Sequence, residues 1–201
     1  MTEDGDRLAR VIAAIDAANA DDPETIEVRG EMRPKEQAHA EMMTDWVRRL
    51  DPDPVDAQLI AARAHHLRRW SISRSSYPDG RSGYLRWRTA LKKQHADEVG
   101  EILGREGYEP DVIETVQHIV RKDALKTDPM VQTHEDALCL VFLETQLLDL
   151  ARDQGDAKTV DIIRKTVAKM SDRGIEAALA LDLPPDAVAL FGRAMAPAEE
   201  A

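Results

Sequence analysis

The chain has 201 residues, of which 43% are hydrophobic, 32% charged and 4% aromatic, enough for one ordinary domain whose folding buries about 70% of the unfolded surface without staples. Twenty-seven basic against 38 acidic residues give a net charge of −11, which opposes general adhesion to nucleic acid or anionic lipid, and the longest apolar run, over 137–143, is too short for a membrane span. The first ten residues are polar and acidic where a secretory leader would be basic and then apolar, and the lone Cys139 has no internal disulfide partner, so the cytosol is the expected compartment.

Apolar residues recur at three and four residue intervals almost throughout, which predicts an all-α, single-domain bundle of about eight helices over 1–196, with 197–201 fraying. The first helix runs from near Asp4 to Asn19, with Leu8, Val11, Ile12 and Ile15 inward, and Asp21-Asp22-Pro23 closes it. A polar connector follows to Arg33. Pro34 suits the first turn of a helix reaching Leu50, and Pro54 opens one reaching about Trp70. Ser71 to Ser82, with Pro-Asp-Gly and four serines, reads as a long loop, a place where function concentrates. Helices over 83–106 and 110–121 come next, then a long buried one from about Pro129 to Asp153, stopped by Gly155. Helices over 156–170, 172–181 and 184–195 complete the set.

Charge is unevenly spread. From Arg63 to Lys93 the net charge is +8, leaving −19 on the rest, and the same window holds Trp70, Tyr77, Tyr84 and Trp87, half of the eight aromatic residues. A basic, aromatic segment in an acidic chain is suited to receiving an anion. Phosphate-cradling glycine loops, the serine nucleophile elbow and paired zinc motifs are absent from the sequence. Cys139, between Leu138 and Leu140, reads as a small buried hydrophobe.

The histidines carry the remaining chemistry. His39, His66 and His95 each continue an apolar stripe on a separate predicted helix, and Asp136 heads the stripe Leu140, Leu143 and Leu147 with Glu135 beside it. Buried ionisable groups need partners, and imidazoles with a carboxylate suit a divalent ion such as zinc, manganese or iron. His66, His95 and Asp136 are therefore expected to converge on one metal, with His39 as a further ligand and His65 supporting the set. Any one of these histidines taken singly is better explained as a core imidazole bonded to a backbone carbonyl, and it is the joint pattern that points to a metal. His134 and His118 are expected at the surface.

The order His39, then Ala64-His65-His66-Leu67, then Asp136 resembles in layout the HD-domain phosphohydrolases, all-α metalloenzymes, although His66 stands where their doublet has Asp. A closer resemblance is carried by Ala61-Ala62-Arg63-Ala64-His65-His66-Leu67-Arg68-Arg69-Trp70, Arg74-Ser75-Ser76-Tyr77-Pro78, Gly83-Tyr84-Leu85-Arg86-Trp87-Arg88, His95-Ala96, Glu135 to Glu144 and Lys165 to Ser171. These stretches resemble the domain of unknown function 4202 family over most of the chain. That resemblance implies essential residues at His66, His95, Glu135 and Asp136, and Glu36 or Glu41 as donors on the second helix in place of His39.

Two functions are expected from these residues. In the first, a metal-dependent hydrolase acts on a phosphorylated small molecule or nucleotide. Glu135 takes the proton from water, Arg69, Arg74, Arg81 and Arg88 grip phosphate, Tyr77, Tyr84 or Trp87 stack on a base, and Lys126, Lys165 and Lys169 add charge. In the second, the basic segment is a non-catalytic module for RNA or an acidic protein surface, over a buried His, Glu and Asp hydrogen-bond network. An iron-dependent oxygenase fits the same ligand types. Membrane binding is not expected.

Overall fold

A computed structural model describes residues 3–28 and 30–196; the tail expected to fray over 197–201 lies outside the described residues. The helices are α1 (Glu3–Asn19), α2 (Lys35–Leu50), α3 (Asp56–Arg63), α4 (Gly80–Arg105), α5 (Pro110–Arg121), α6 (Pro129–Thr145), α7 (Leu147–Gln154), α8 (Asp156–Val167), α9 (Asp172–Leu179) and α10 (Pro185–Met195). The chain is all-α, with one two-stranded hairpin, β1 (Thr25–Val28) and β2 (Glu31–Pro34), among the described residues. No helix among them is long and apolar enough to cross a membrane. The chain falls into two compact units, Met1–His134 and Glu135–Ala201.

In the first unit α1, α3, α4 and α5 enclose a core of Val11, Ile15, Ile60, Leu67, Val99, Leu103, Val116 and Ile119, all fully buried. Pro110 at the first turn of α5 and the apolar spacing Val116, Ile119 and Val120 give that helix the bounds its sequence predicts. The polar connector expected after Asn19 is instead the hairpin, paired Thr25 to Pro34, Ile26 to Arg33, Glu27 to Met32 and Val28 to Glu31. Its alternation and β-branched residues suit a pleated strand. Arg33 on β2 forms a two-pronged ion pair with Glu41 of α2, at 2.6 and 2.7 Å, and Arg63 joins Asp16 of α1 to the same Glu41.

The helix expected to reach Trp70 stops at Arg63. Arg68 takes a left-handed backbone, φ 49°, and its amide donates to the side-chain carbonyl of fully buried Asn19, 3.0 Å away, so the chain folds back and His65 and His66 lie in a turn. The 71–82 loop is shorter than expected: 3₁₀ turns occupy Arg69–Ser71 and Arg74–Ser76, and α4 starts at Gly80. Arg74 pins this crossing by donating to the carbonyls of Tyr77 and Pro78. The close approach of Pro78 to α4 requires Gly83, where a Cβ would stand 1.8 Å from the Pro78 oxygen.

In the second unit α8 packs on α7 and α10, and Leu140, Leu143, Leu147, Ile163, Leu190 and Phe191 are buried. The long helix expected to Asp153 is broken at Gln146 into α6 and α7. Asp136 accepts from the Ser171 amide at 2.9 Å and its hydroxyl at 2.5 Å, while the Ser171 oxygen caps α9 through the Gly174 amide. Cys139 is buried here.

Candidate metal centre

The centre is built at the start of α2. Buried Asp22 accepts the Glu24 amide on one carboxylate oxygen and the Glu36 amide on the other, at 2.9 and 2.8 Å, tying the end of α1's exit segment to the first turn of α2. That brace places Glu36, itself only 4% exposed, facing two imidazoles. Glu36 Oε2 lies 2.8 Å from His66 Nδ1 and 3.6 Å from His39 Nδ1, and its Oε1 is 3.7 Å from Arg69 Nε. One donor atom each from Glu36, His39 and His66 fit within 4.8 Å of one another, a spacing that could hold a metal ion. Glu41, the other acid considered on this helix, is taken up by Arg33 and Arg63, and the bonds from Arg33 hold its carboxyl below the usual range.

The electrostatics prepare these groups for a cation. Burial works to raise the Glu36 carboxyl, but the pull of His66 and hydrogen bonds from His39 and His66 outweigh it and hold the group well below the usual carboxylate range. Burial pushes His66 down to about 4, against the opposing pull of Glu36. Glu36 is thus ionised and His66 neutral at physiological pH, with His66 Nδ1–H donating to the carboxylate and Nε2 left as the acceptor facing Arg69, 3.5 Å away. His95 donates from Nδ1 to the Leu67 carbonyl at 2.8 Å, leaving a buried Nε2 with no partner among the described residues. Burial, then the neighbouring His66, push this imidazole down to about 3. A bare ring nitrogen fixed by a carbonyl on its opposite side is the arrangement that metal-ligating histidines use.

The His66 ring stands 5.9 Å from His95 and 3.9 Å from His65, and His65 Nδ1 is 3.0 Å from His134 Nε2. His134, expected at the surface, is fully buried in this row, because α6 begins inside the first unit. His118 is half-buried on Asp128. Burial, followed by the charges of His66 and Lys122, holds His65 well below its ordinary value.

Beside Glu36 opens a cleft of about 490 Å³, lined among others by Lys35, Arg69, Trp70, Ile72, Arg74 and Trp87. Of the side chains expected to receive an anion, Arg69, Arg74 and Trp87 reach this cleft. Tyr77 lies at the Arg74 brace, Arg81 and Tyr84 are exposed on the first turns of α4, and Arg88 covers Tyr84. Lys126 is exposed in the turn before α6. Glu135, Asp136, Lys165 and Lys169 belong to the second unit, where Glu135 faces Lys169 at 3.5 Å and Lys165 pairs with Asp161 at 2.5 Å. Sequence reading missed Asp22 and Asn19 as positioning residues and Lys122 as a charge acting on His65 and His66. Only the burial of Asn and Asp at a helix end could have signalled the first two.

A buried carboxylate facing two imidazoles makes this an all-α protein with a candidate metal centre. The chain belongs to the family described as domain of unknown function (DUF4202), whose model matches residues 9–191 and so takes in Glu36, His39, His66 and His95. No curated protein and no solved structure matches it.

Proposed function

We propose that the protein is a divalent-metal-dependent hydrolase acting on a phosphorylated small molecule or nucleotide. The observation that carries this reading is the juxtaposition of the Glu36, His39 and His66 donors with a cleft whose wall includes Lys35, Arg69 and Arg74. Mixed nitrogen and oxygen donors suit zinc, manganese or iron, and Glu36 and His66 are in, or close to, the protonation states that ligands require. His95, with its unpartnered Nε2 and its ring 5.9 Å from that of His66, is a further donor. A divalent cation in this position supplies charge that lowers the pKa of a water and draws electrons from a phosphoryl oxygen. Arg69 holds the phosphate in the orientation that a planar guanidinium favours, and Trp70 and Trp87 shield the cleft from bulk water.

The test is elemental analysis of untagged protein together with phosphate release from nucleoside monophosphates and sugar phosphates. About one ion per chain and metal-dependent release are expected, both lost in Glu36→Gln. Protein that carries no divalent metal, and gains no phosphate release when manganese, zinc or iron is supplied, returns the histidines to a structural network. The bonds from His66 to Glu36 and from His65 to His134 favour that second reading, in which the basic segment serves binding alone.

A further inference from the structure

From the cleft a row of two rings flanked by two cations leads out over the first turns of α4. The Arg69 guanidinium lies 4.8 Å from the Trp87 ring centre, Trp87 and Tyr84 are 5.9 Å apart at 44°, and Arg88 stands 5.8 Å from the Tyr84 ring. Its inner end touches the candidate centre, since Arg69 Nη1 reaches His66 Nε2 at 3.5 Å. Trp87 is fixed by donating from Nε1 to the Ile72 carbonyl, and Tyr84 is 43% exposed.

Arg81, Arg86 and Arg88 carry no ion pair among the described residues, whereas Lys93, Arg105, Arg152 and Lys165 each sit on a carboxylate. In a chain with an excess of eleven acids, arginines left without carboxylates on the first turns of α4, one of them against the Tyr84 ring, are matched to an anion from outside. A phosphate monoester held in the cleft would not use Tyr84 and Arg88. An acidic peptide would use the arginines and leave the ring faces idle. Bases use rings and guanidinium planes together, and a phosphodiester chain supplies charge at each step.

We propose that Trp87, Tyr84 and Arg88 form a base-stacking track for the end of a single-stranded nucleic acid, with its terminal phosphate beside Arg69. The proposal rests on reading the Glu36 centre as a phosphate-processing site, and it names that site's substrate class.

Fluorescence anisotropy on chelator-treated protein tests it, with a labelled, 5′-phosphorylated thymidine pentanucleotide, a uridine pentanucleotide, thymidine monophosphate and a pentaglutamate peptide as probes. The pentanucleotides should bind about tenfold or more tighter than the monophosphate, as one or two stacked bases imply. Tyr84→Ala and Arg88→Ala should each remove most of that excess, Tyr84→Phe should keep it, and affinity should fall with salt at a log–log slope of about −2 for three phosphate contacts. Equal binding of pentanucleotide and monophosphate overturns the track, as does pentaglutamate binding as tightly as the strand, or a Tyr84→Ala protein of parental Tm that keeps the excess. Because these measurements need no metal, strand binding by a protein that hydrolyses nothing supports the track and removes only the hydrolase reading.

Discussion

His95 holds a neutral ring in the protein interior, and that has a consequence for stability. Its folded pKa, about 3, lies below the unfolded value near 6.5, so as pH falls the unfolded chain takes up the proton first. The associated stability is complete above pH 6.5 and declines as pH falls toward 3. Between pH 7.5 and 5 the loss from this one residue should be roughly 2 kcal/mol. Urea titrations of chelator-treated protein check it: the stability difference between parent and His95→Leu should shift by about that amount across the interval, and an unchanged difference refutes the assignment. At His66 a different test applies. In the metal-free protein Nδ1–H points at Glu36 and Nε2 faces Arg69. A cation held by Nδ1 moves the proton to Nε2, where it opposes the Arg69 guanidinium. Zinc titration followed by imidazole ¹⁵N shifts should therefore report a tautomer switch. Arg69→Gln should strengthen zinc binding about fivefold, by removing a positive charge worth roughly 1 kcal/mol at this range, while weakening phosphate binding.

Helices whose ends are set by local chemistry were legible in the sequence, and those ended by distant partners were not. Pro110 and the spacing of α5 define it, and Pro34 places the start of α2 to within one residue. The early end of α3 depends on Asn19, 49 positions away, accepting the Arg68 amide. Periodicity therefore continued that helix to Trp70 and put His66 on a stripe, where the structure has a turn. The same holds for Glu36, which becomes a donor because Asp22 receives its amide across the hairpin. At Asp136 the spacing correctly indicated a buried acid, and what it meets in its own unit is the Ser171 cap of α9. Two glycines of α4 make the element-scale point testable. Ala at Gly83 would drive a Cβ into the Pro78 carbonyl, whereas at exposed Gly104 it meets nothing within 4 Å. Gly83→Ala should cost about 2–4 kcal/mol and loosen the Arg74 crossing, and Gly104→Ala should stabilise by about 0.5–1 kcal/mol. Thermal melts that rank the two variants the other way would contradict this account of how α4 begins.

Across the whole chain the −11 charge conceals a basic segment whose arginines divide into two kinds. Arg63 is consumed by Asp16 and Glu41, and Arg74 by carbonyls, whereas Arg69 remains at the cleft beside Glu36. Composition shows the segment and cannot show that division, because the partners come from α1, α2 and the 3₁₀ turns. All donors of the Glu36, His39 and His66 group, and His95, come from the first unit, while Asp136, expected among the ligands, belongs to the second. Ligand binding protects the backbone that holds the ligands, in proportion to concentration over Kd. Hydrogen exchange of zinc-loaded against chelator-treated protein should therefore slow at 35–40, 64–71 and 91–98. If the ion is held by Glu36, His39 and His66 alone, exchange over 136–140 and 171–175, where Asp136 and the Ser171 cap lie, should stay within error of the chelated protein. Slowing there, abolished by Asp136→Asn while Glu36→Gln still leaves partial zinc binding, would instead add Asp136 to the ligands and overturn the three-residue centre.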